Sequence, residues 1–318
     1  MAALLVLLSL ALLGLAFHFQ FSGTLRTAAL ILLAIVAIGL AILWYREANA
    51  AFWLGTAAVM LGATLWWSTI RPSNDRDWTP DVAHGVTADI GPDSVTLHNV
   101  RNFDWQTVDA ATERWETRSY ELSDLTSVDV FSSVWGNPAI AHTLVSFGFT
   151  DGQHVVFSAE IRKQKGEAYS SLAGFFRRYE LVLIAADERD IIRLRTDVRG
   201  ETVSLYPLDV TQPHIRQMFL DLLALGNDLA VQPRFYNTAT TNCTTVQWRL
   251  ARNISPTLPF NWRVLLSGYL PAYLQSLGVV RTDLPLDQLM AQARLHPTGP
   301  ANADGAEYSR RLRSGTAP

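Results

Sequence analysis

Residues 1–70 contain three charged side chains, Arg26, Arg46 and Glu47, set among long apolar stretches. A surface that poor in charge does not belong to a water-soluble domain. The apolar residues fall into three runs, 2–17, 27–45 and 50–70. At the rise of an α-helix the second run spans about 28 Å, close to the hydrocarbon core of a bilayer, and the third is slightly longer. Trp44, Tyr45, Trp66 and Trp67 stand at run ends, where aromatic side chains gather at membrane interfaces. The first run is short enough to compete as a signal peptide. It lacks a basic leading segment, and no clear small-residue cleavage site follows it. Residues 1–70 are therefore read as three transmembrane helices, the first of them short.

Arg26 and Arg46 fall in different loops, so positive charge decides little about orientation. Three spans with a cytoplasmic N-terminus put everything after residue 70 outside the cytoplasm. In a bacterial cell that means a multi-pass inner-membrane protein with its folded domain in the periplasm.

The charged fraction of the whole chain is 17%, below the roughly 25% usual for soluble proteins. The deficit lies in the membrane region. Beyond Arg71 the composition is ordinary and long enough for one good-sized core. A net charge of -3 with no strongly basic segment argues against nucleic acid as a partner. The single cysteine, Cys243, excludes an intramolecular disulfide. Residues 71–85 carry Pro72 and Pro80 and read as a linker, residues 86–294 as the folded domain, and the Gly/Ala/Arg/Ser-rich residues 295–318 as a disordered tail.

Inside the domain, short alternating bursts at 94–100, 117–122 and 127–131 predict strands. Residues 142–150 and 154–162 predict two strands of a hairpin turning at Asp151-Gly152. Alternation puts His142, Leu144 and Ser146 on one face of the first and Val145, Phe147 and Phe149 on the other. A short helix can begin in 170–178. Strands are predicted at 180–186, 190–198 and 202–206. Helices are predicted at 213–230 with Thr211 as N-cap, from Cys243 to about 254, and over 264–278.

Cys243 sits at a predicted helix N-terminus after a run of Thr and Asn residues. Unpaired N–H groups and the helix dipole there favour the thiolate, the nucleophilic form. A nucleophilic cysteine also needs a base, and His142 at the start of a strand is the candidate. The competing reading of Cys243 is a buried structural thiol, and of His142 a satisfied strand histidine. A helix-capping cysteine facing a strand histidine is the papain-like arrangement.

The segments His142-Thr-x-x-Ser-Phe-x-Phe, Phe157-Ser-x-Glu-Ile-Arg162, Gly166-Glu167, Tyr179-Glu180, Asp187-Glu-Arg-Asp190, Arg193-x-Arg195 and Tyr236-Asn237 followed by Thr241-Asn-Cys-Thr-Thr245 resemble the Lnb N-terminal periplasmic domain family. The resemblance covers about residues 115–275. It implies an α+β, papain-like and circularly permuted domain, with an antiparallel sheet and packed helices, behind the three membrane helices. The family's named member is a bacterial lipoprotein N-acyltransferase, which moves an acyl chain from phospholipid to the N-terminal amine of a diacylated lipoprotein. A Cys/His pair is implicated there, and the matching positions here are Cys243 and His142. One departure bears on substrate: the membrane helices precede the domain here, whereas in the named member they follow it.

Glu160 and Arg162 lie on one face of the strand paired with that of His142. Glu160 can orient the imidazole as a third catalytic residue, or it can simply pair with an arginine. Asn242 can donate to an oxyanion or cap the helix. Asn242, Arg162 and Tyr236 are the candidate substrate-binding residues. Arg177, Arg178, Arg193 and Arg195 form a basic group that either meets phospholipid head groups or lines a solvated face. No cofactor fingerprint and no zinc-type spacing is present. The expected function is a membrane-anchored thiol acyltransferase with phospholipid, and a diacylated lipoprotein, as partners. A periplasmic cysteine peptidase or amidase and a non-catalytic tethered binding module are the alternatives.

Overall fold

The computed structural model describes residues 2–297 and 304–314. The three apolar runs form helices α1 (Ala2–Gln20), α2 (Gly23–Tyr45) and α3 (Asn49–Thr69), each long and apolar enough to cross a bilayer. Their packing is light, as expected where lipid covers most of the surface. Val6, Leu10, Leu40 and Phe52 are buried between helices, while Leu4, Leu32, Ile35 and Leu54 point outward. At Gly55 an added Cβ would lie 3.1 Å from Leu40, so a small residue lets α2 and α3 approach. The up-down-up order brings the ends of α1 and α3 together, where the rings of Phe17 and Trp66 meet edge to face at 4.9 Å.

Beyond the membrane the strands are β1 (Thr87–Ile90), β2 (Ser94–Arg101), β3 (Asp104–Trp105), β4 (Ala111–Thr112), β5 (Trp115–Glu121), β6 (Leu125–Val134), β7 (Ala141–Phe149), β8 (His154–Arg162), β9 (Glu180–Asp187) and β10 (Thr202–Pro207). The helices are α4 (Glu188–Arg193), α5 (Gln212–Val231), α6 (Cys243–Ile254), α7 (Leu270–Ser276), α8 (Leu286–Ala293) and α9 (Gly305–Ser314). The main sheet runs β1-β2-β9-β8-β7-β6-β10, with β5 also paired to β2, while β3 and β4 form a separate ribbon. The expected antiparallel sheet is mixed instead: β2 and β9 pair in parallel through Val100 and Arg101. These strands are far apart in sequence, so no tight turn imposes an antiparallel sense.

Strand alternation gives the sheet two apolar faces. Val145, Phe147, Phe157 and Leu183 pack under α5 through Phe219, Leu222 and Leu223. Leu144, Val156 and Ile184 pack on the opposite side under α4 and α9, through Ile191, Ile192, Tyr308 and Leu312.

Other expectations are corrected as well. Residues 190–198 are not a strand but the end of α4 and a π-helical turn (Leu194–Val198). Ile191 and Leu194 recur at helical spacing, and Asp187 caps the helix by accepting from Arg189 N at 2.9 Å. The single helix expected over 264–278 is broken into 3₁₀ turns and α7, because Pro271 takes a first-turn position of a new helix. The tail is not wholly disordered. Leu295 N donates to Val203 O at 2.8 Å, and α9 buries Tyr308 and Leu312 against the sheet. The rest of that expectation, at 298–303 and 315–318, lies outside the described residues. The 71–85 linker is a fitted strap, with Trp78 and Val82 buried and Thr79 N donating to Lys163 O at 2.9 Å.

Candidate active site

The β7–β8 ladder runs from Gly148↔His154 to Val145↔Phe157 and then stops. Continued in the same register, it sets His142 across from Glu160. The first turn of α6 meets the sheet at this opening, where Thr143 Oγ1 and Thr244 Oγ1 are 2.9 Å apart. The helix begins here because Asn242 is its N-cap: Oδ1 accepts from Thr244 N at 3.0 Å and Thr245 N at 2.8 Å, and Thr245 Oγ1 accepts from Asn242 N at 2.8 Å. This reciprocal box fixes Cys243 as the first helical residue. Val246 N donates to Asn242 O, which leaves the Cys243 N–H as the first-turn donor without an acceptor among the described residues.

Cys243 is 8% exposed and His142 7%. The imidazole is held from behind. Its Nε2 lies 2.6 Å from Ser158 Oγ and 3.0 Å from Glu160 Oε1, which leaves Nδ1 for the thiol. Glu160 Oε1 also accepts from Ser158 Oγ at 2.7 Å and from Arg195 at 3.1 Å. Arg195 in turn reaches Glu201 at 3.4 Å.

The electrostatics follow from these contacts. Burial alone would push the Cys243 thiol up, but the His142 charge and its hydrogen bond outweigh it, helped by Thr143 N–H and the Thr244 hydroxyl, and the net shift is downward. Burial would lower His142, yet the Glu160 carboxylate lifts it to about 9. Glu160 itself falls well below the usual carboxylate range, because His142, Arg195 and Ser158 outweigh its desolvation. A thiolate–imidazolium pair is thus favoured from the depressed thiol pKa up to about pH 9. That pair is what nucleophilic thiol chemistry requires.

Glu160 contacts both partners left open for it, His142 and an arginine. Replacing it by glutamine keeps an acceptor for Nε2 but removes the charge. The pH midpoint of Cys243 alkylation by iodoacetamide is expected to move upward in Glu160→Gln. An unchanged midpoint would reduce Glu160 to a partner of Arg195.

The other candidates separate. Asn242 is committed as the cap, and its Nδ2 donates to Thr238 O at 2.8 Å. Arg162 belongs to the strap, donating to Val82 O, Ala83 O and Asn74 Oδ1 and lying 4.6 Å over the Trp78 ring. Tyr236 is near the thiol. Burial raises its pKa strongly, and the Cys243 and Tyr169 charges add to the effect. The basic group disperses: Arg195 is buried behind Glu160, Arg193 reaches Trp105 O, and Arg177 and Arg178 touch the membrane helices. Ser158 and Arg195 were not singled out as site residues from sequence. Ser158 could have been found two residues before Glu160 on the same strand face; Arg195 needed the helix at 188–198 to be recognised.

Exposed apolar side chains stand on segments next to the thiol. Tyr169 and Trp135 are exposed and face each other edge to face at 6.4 Å. Ile140 is exposed beside Ala141, whose carbonyl accepts from Ser267 Oγ, next to exposed Leu265 and Leu266.

Away from this site, Asp129, His154 and Glu188 bring potential metal-ligand atoms within 4.8 Å of one another. A cation of the chain already stands there: Arg313 lies 2.6 Å from Asp129 and 2.8 Å from Glu188.

Residues 111–268 match the model of the Lnb N-terminal periplasmic domain family, and they contain Cys243, His142 and Glu160. No curated protein and no solved structure matches the chain.

Proposed function

From the premise that this chain belongs to the Lnb N-terminal periplasmic domain family, on three apolar N-terminal helices, we propose that it is a membrane-anchored thiol acyltransferase. Cys243 takes an acyl chain from phospholipid and passes it to an amine, with the N-terminus of a diacylated lipoprotein as acceptor. The observation that carries this reading is the buried Cys243–His142–Glu160 group, with exposed apolar side chains on the segments next to it. An amidase would use the same three side chains with water as acceptor, but Trp135, Ile140 and Leu266 suit a fatty chain better than a peptide. A nucleophile helix placed after its histidine strand also fits a permuted papain-like domain. The inner membrane, with the domain in the periplasm, is the setting this chemistry calls for.

In the proposed sequence the Cys243 thiolate attacks the ester carbonyl carbon of the lipid. The developing oxyanion accepts from the Cys243 N–H at the helix start. The His142 imidazolium gives its proton to the departing lysophospholipid oxygen, which leaves a thioester. Neutral His142 then takes a proton from the attacking amine, the C–S bond breaks, and the thiolate–imidazolium pair is restored. Glu160 holds the ring in orientation throughout.

Incubating the full chain in vesicles with acyl-labelled phospholipid is expected to give a hydroxylamine-sensitive label on Cys243. Label persisting in Cys243→Ala, or never appearing in the parent, would sink the proposal.

A further inference from the structure

The ends of α1 and α3 mark the level at which the chain leaves the bilayer, and one segment of the domain is fastened to both. Gln20 Nε2 donates to Phe176 O at 2.6 Å and Arg177 O at 3.0 Å. Arg178 donates to Phe19 O at 3.1 Å, and the Phe19 and Phe176 rings stack at 5.4 Å. Arg177 donates to Trp67 O at 2.7 Å and lies 4.8 Å over its ring. Residues 176–178 therefore sit at the membrane surface, beside the aromatic belt of Phe17, Phe21, Trp66 and Trp67.

The 3₁₀ turn leading into them (Ala173–Phe176) has two unlike sides. One is clamped to the loop before Cys243. Thr238 Oγ1 donates to Ser171 O at 2.6 Å, and a Cβ at Gly174 would collide with that hydroxyl and lie 3.5 Å from the Tyr236 ring. Only glycine fits there. The other side carries Leu172 and Phe175, which are 47% and 45% exposed although both are large and apolar. The same clamp reaches the cysteine, since Thr238 O accepts from Nδ2 of Asn242, the residue before Cys243, at 2.8 Å; burial raises the pKa of Tyr169, at the start of the segment, and the Cys243 charge adds to it.

We propose that residues 169–178 form an interfacial elbow. Leu172 and Phe175 dip into the headgroup–acyl boundary of the leaflet where α1 and α3 end. Through Tyr169 and Trp135 this elbow makes an apolar passage from that leaflet to Cys243. The occupant of the exposed patch is the protein's own lipid surface, because the residues that directly follow the patch, Phe176 and Arg177, are hydrogen-bonded to the helix ends that fix the surface's position. The passage rests on the acyltransferase reading, and the docking does not. For the reaction, the consequence is that the donor chain never crosses water: it slides from the outer leaflet along the elbow to the thiol.

The docking is tested with nitroxide labels placed through Leu172→Cys and Phe175→Cys in a Cys243→Ala background. The full chain is reconstituted in phosphatidylethanolamine/phosphatidylglycerol vesicles. Both labels are expected to be relaxed more by oxygen than by a water-soluble nickel chelate, with the reverse at an exposed control, Glu113→Cys. Labels at 172 and 175 as open to nickel as the control overturn the docking, whether or not Cys243 is ever acylated. The passage is tested with a Leu172→Asp/Phe175→Asp variant that keeps Cys243. Acylation from bilayer phospholipid is expected to fall at least about 10-fold, with the rate of Cys243 alkylation unchanged as proof of an intact site. Equal acylation of variant and parent overturns the passage. A parent that takes no acyl label while its elbow labels lie in lipid strikes the acyltransferase reading, and with it the passage, and supports the docking.

Discussion

His142→Ala is expected to slow acylation of Cys243 at neutral pH by about 10²–10⁴-fold, the range over which a positioned acid–base group acts. Two effects add. The first concerns the resting thiol. Burial pushes Cys243 up, and the strongest opposing influence is the His142 charge; with it gone, Thr143 N–H and the Thr244 hydroxyl are left against desolvation. The helix N-terminus still favours the thiolate, but by an amount typical of one first turn. The second concerns the leaving group, which loses its proton donor. The pH profile separates this account from a structural role. In the parent, alkylation of Cys243 should level off at a lower pH than in the variant, and the acyl transfer rate should decline above about 9, where His142 loses its proton. In the variant, the alkylation midpoint should move upward, towards the alkaline range. The fold should survive, because Glu160 keeps Ser158 and Arg195 as partners. Alkylation at the parent's neutral rate in His142→Ala would mean that the helix alone makes the thiolate.

Much of this site was legible in sequence, and the reasons are physical. The membrane helices show in hydropathy because the bilayer tolerates few charges. The β7–β8 hairpin shows in Asp151-Gly152 and in strict alternation, and alternation is what sets His142 and Glu160 on one face. Asn242 and Thr245 announce a helix start, and the start defines where Cys243 points. Three things were hidden. Residues 190–198 alternate Ile, Arg, Leu and Arg, which imitates a strand; the Asp187 cap and the spacing of Ile191 and Leu194 tell against it. Missing that helix hid Arg195, since its reach to Glu160 depends on the π-helical turn. Arg162, set on the face of Glu160 by alternation, is drawn away by the strap at residues 74–83, which no local pattern reveals. The tail was misread because its composition is that of a disordered segment, while its order comes from contacts made at long range.

Those contacts carry the second large effect. Arg313→Met is expected to destabilise the domain by about 3 kcal/mol, the lower end of the cost of orphaning a buried carboxylate, since the Arg313 side chain is itself partly exposed. For a domain of this size that corresponds to a drop of about 6–12 °C in melting temperature. Arg313 donates to Glu188 and Asp129, both buried, and among the described residues Ser146 Oγ is the further neutral side-chain donor to Glu188. Burial alone would raise Glu188, but Arg313 holds it down at about 2. A carboxylate depressed in the folded state contributes stability that is present above its ordinary pKa and is lost as pH falls towards 2. Take Arg313 away and the sign reverses. Desolvation, the largest influence on Glu188, is then opposed only by the weaker effects of His154 and the Ser146 hydroxyl, the folded state binds the proton more tightly than the unfolded one, and acidification stabilises the variant. The gap between parent and Arg313→Met should therefore be widest near neutral pH and narrow as pH falls into the carboxylate range. Arg313→Lys, which keeps the charge but loses the fork, should fall between them. Thermal melts of the full chain in detergent, followed by tryptophan fluorescence from pH 7.5 down to 4.5, read this directly. Identical melts for parent and variant would show that α9 does not bear on the sheet, and the burial of Tyr308 and Leu312 would then carry no stabilising weight.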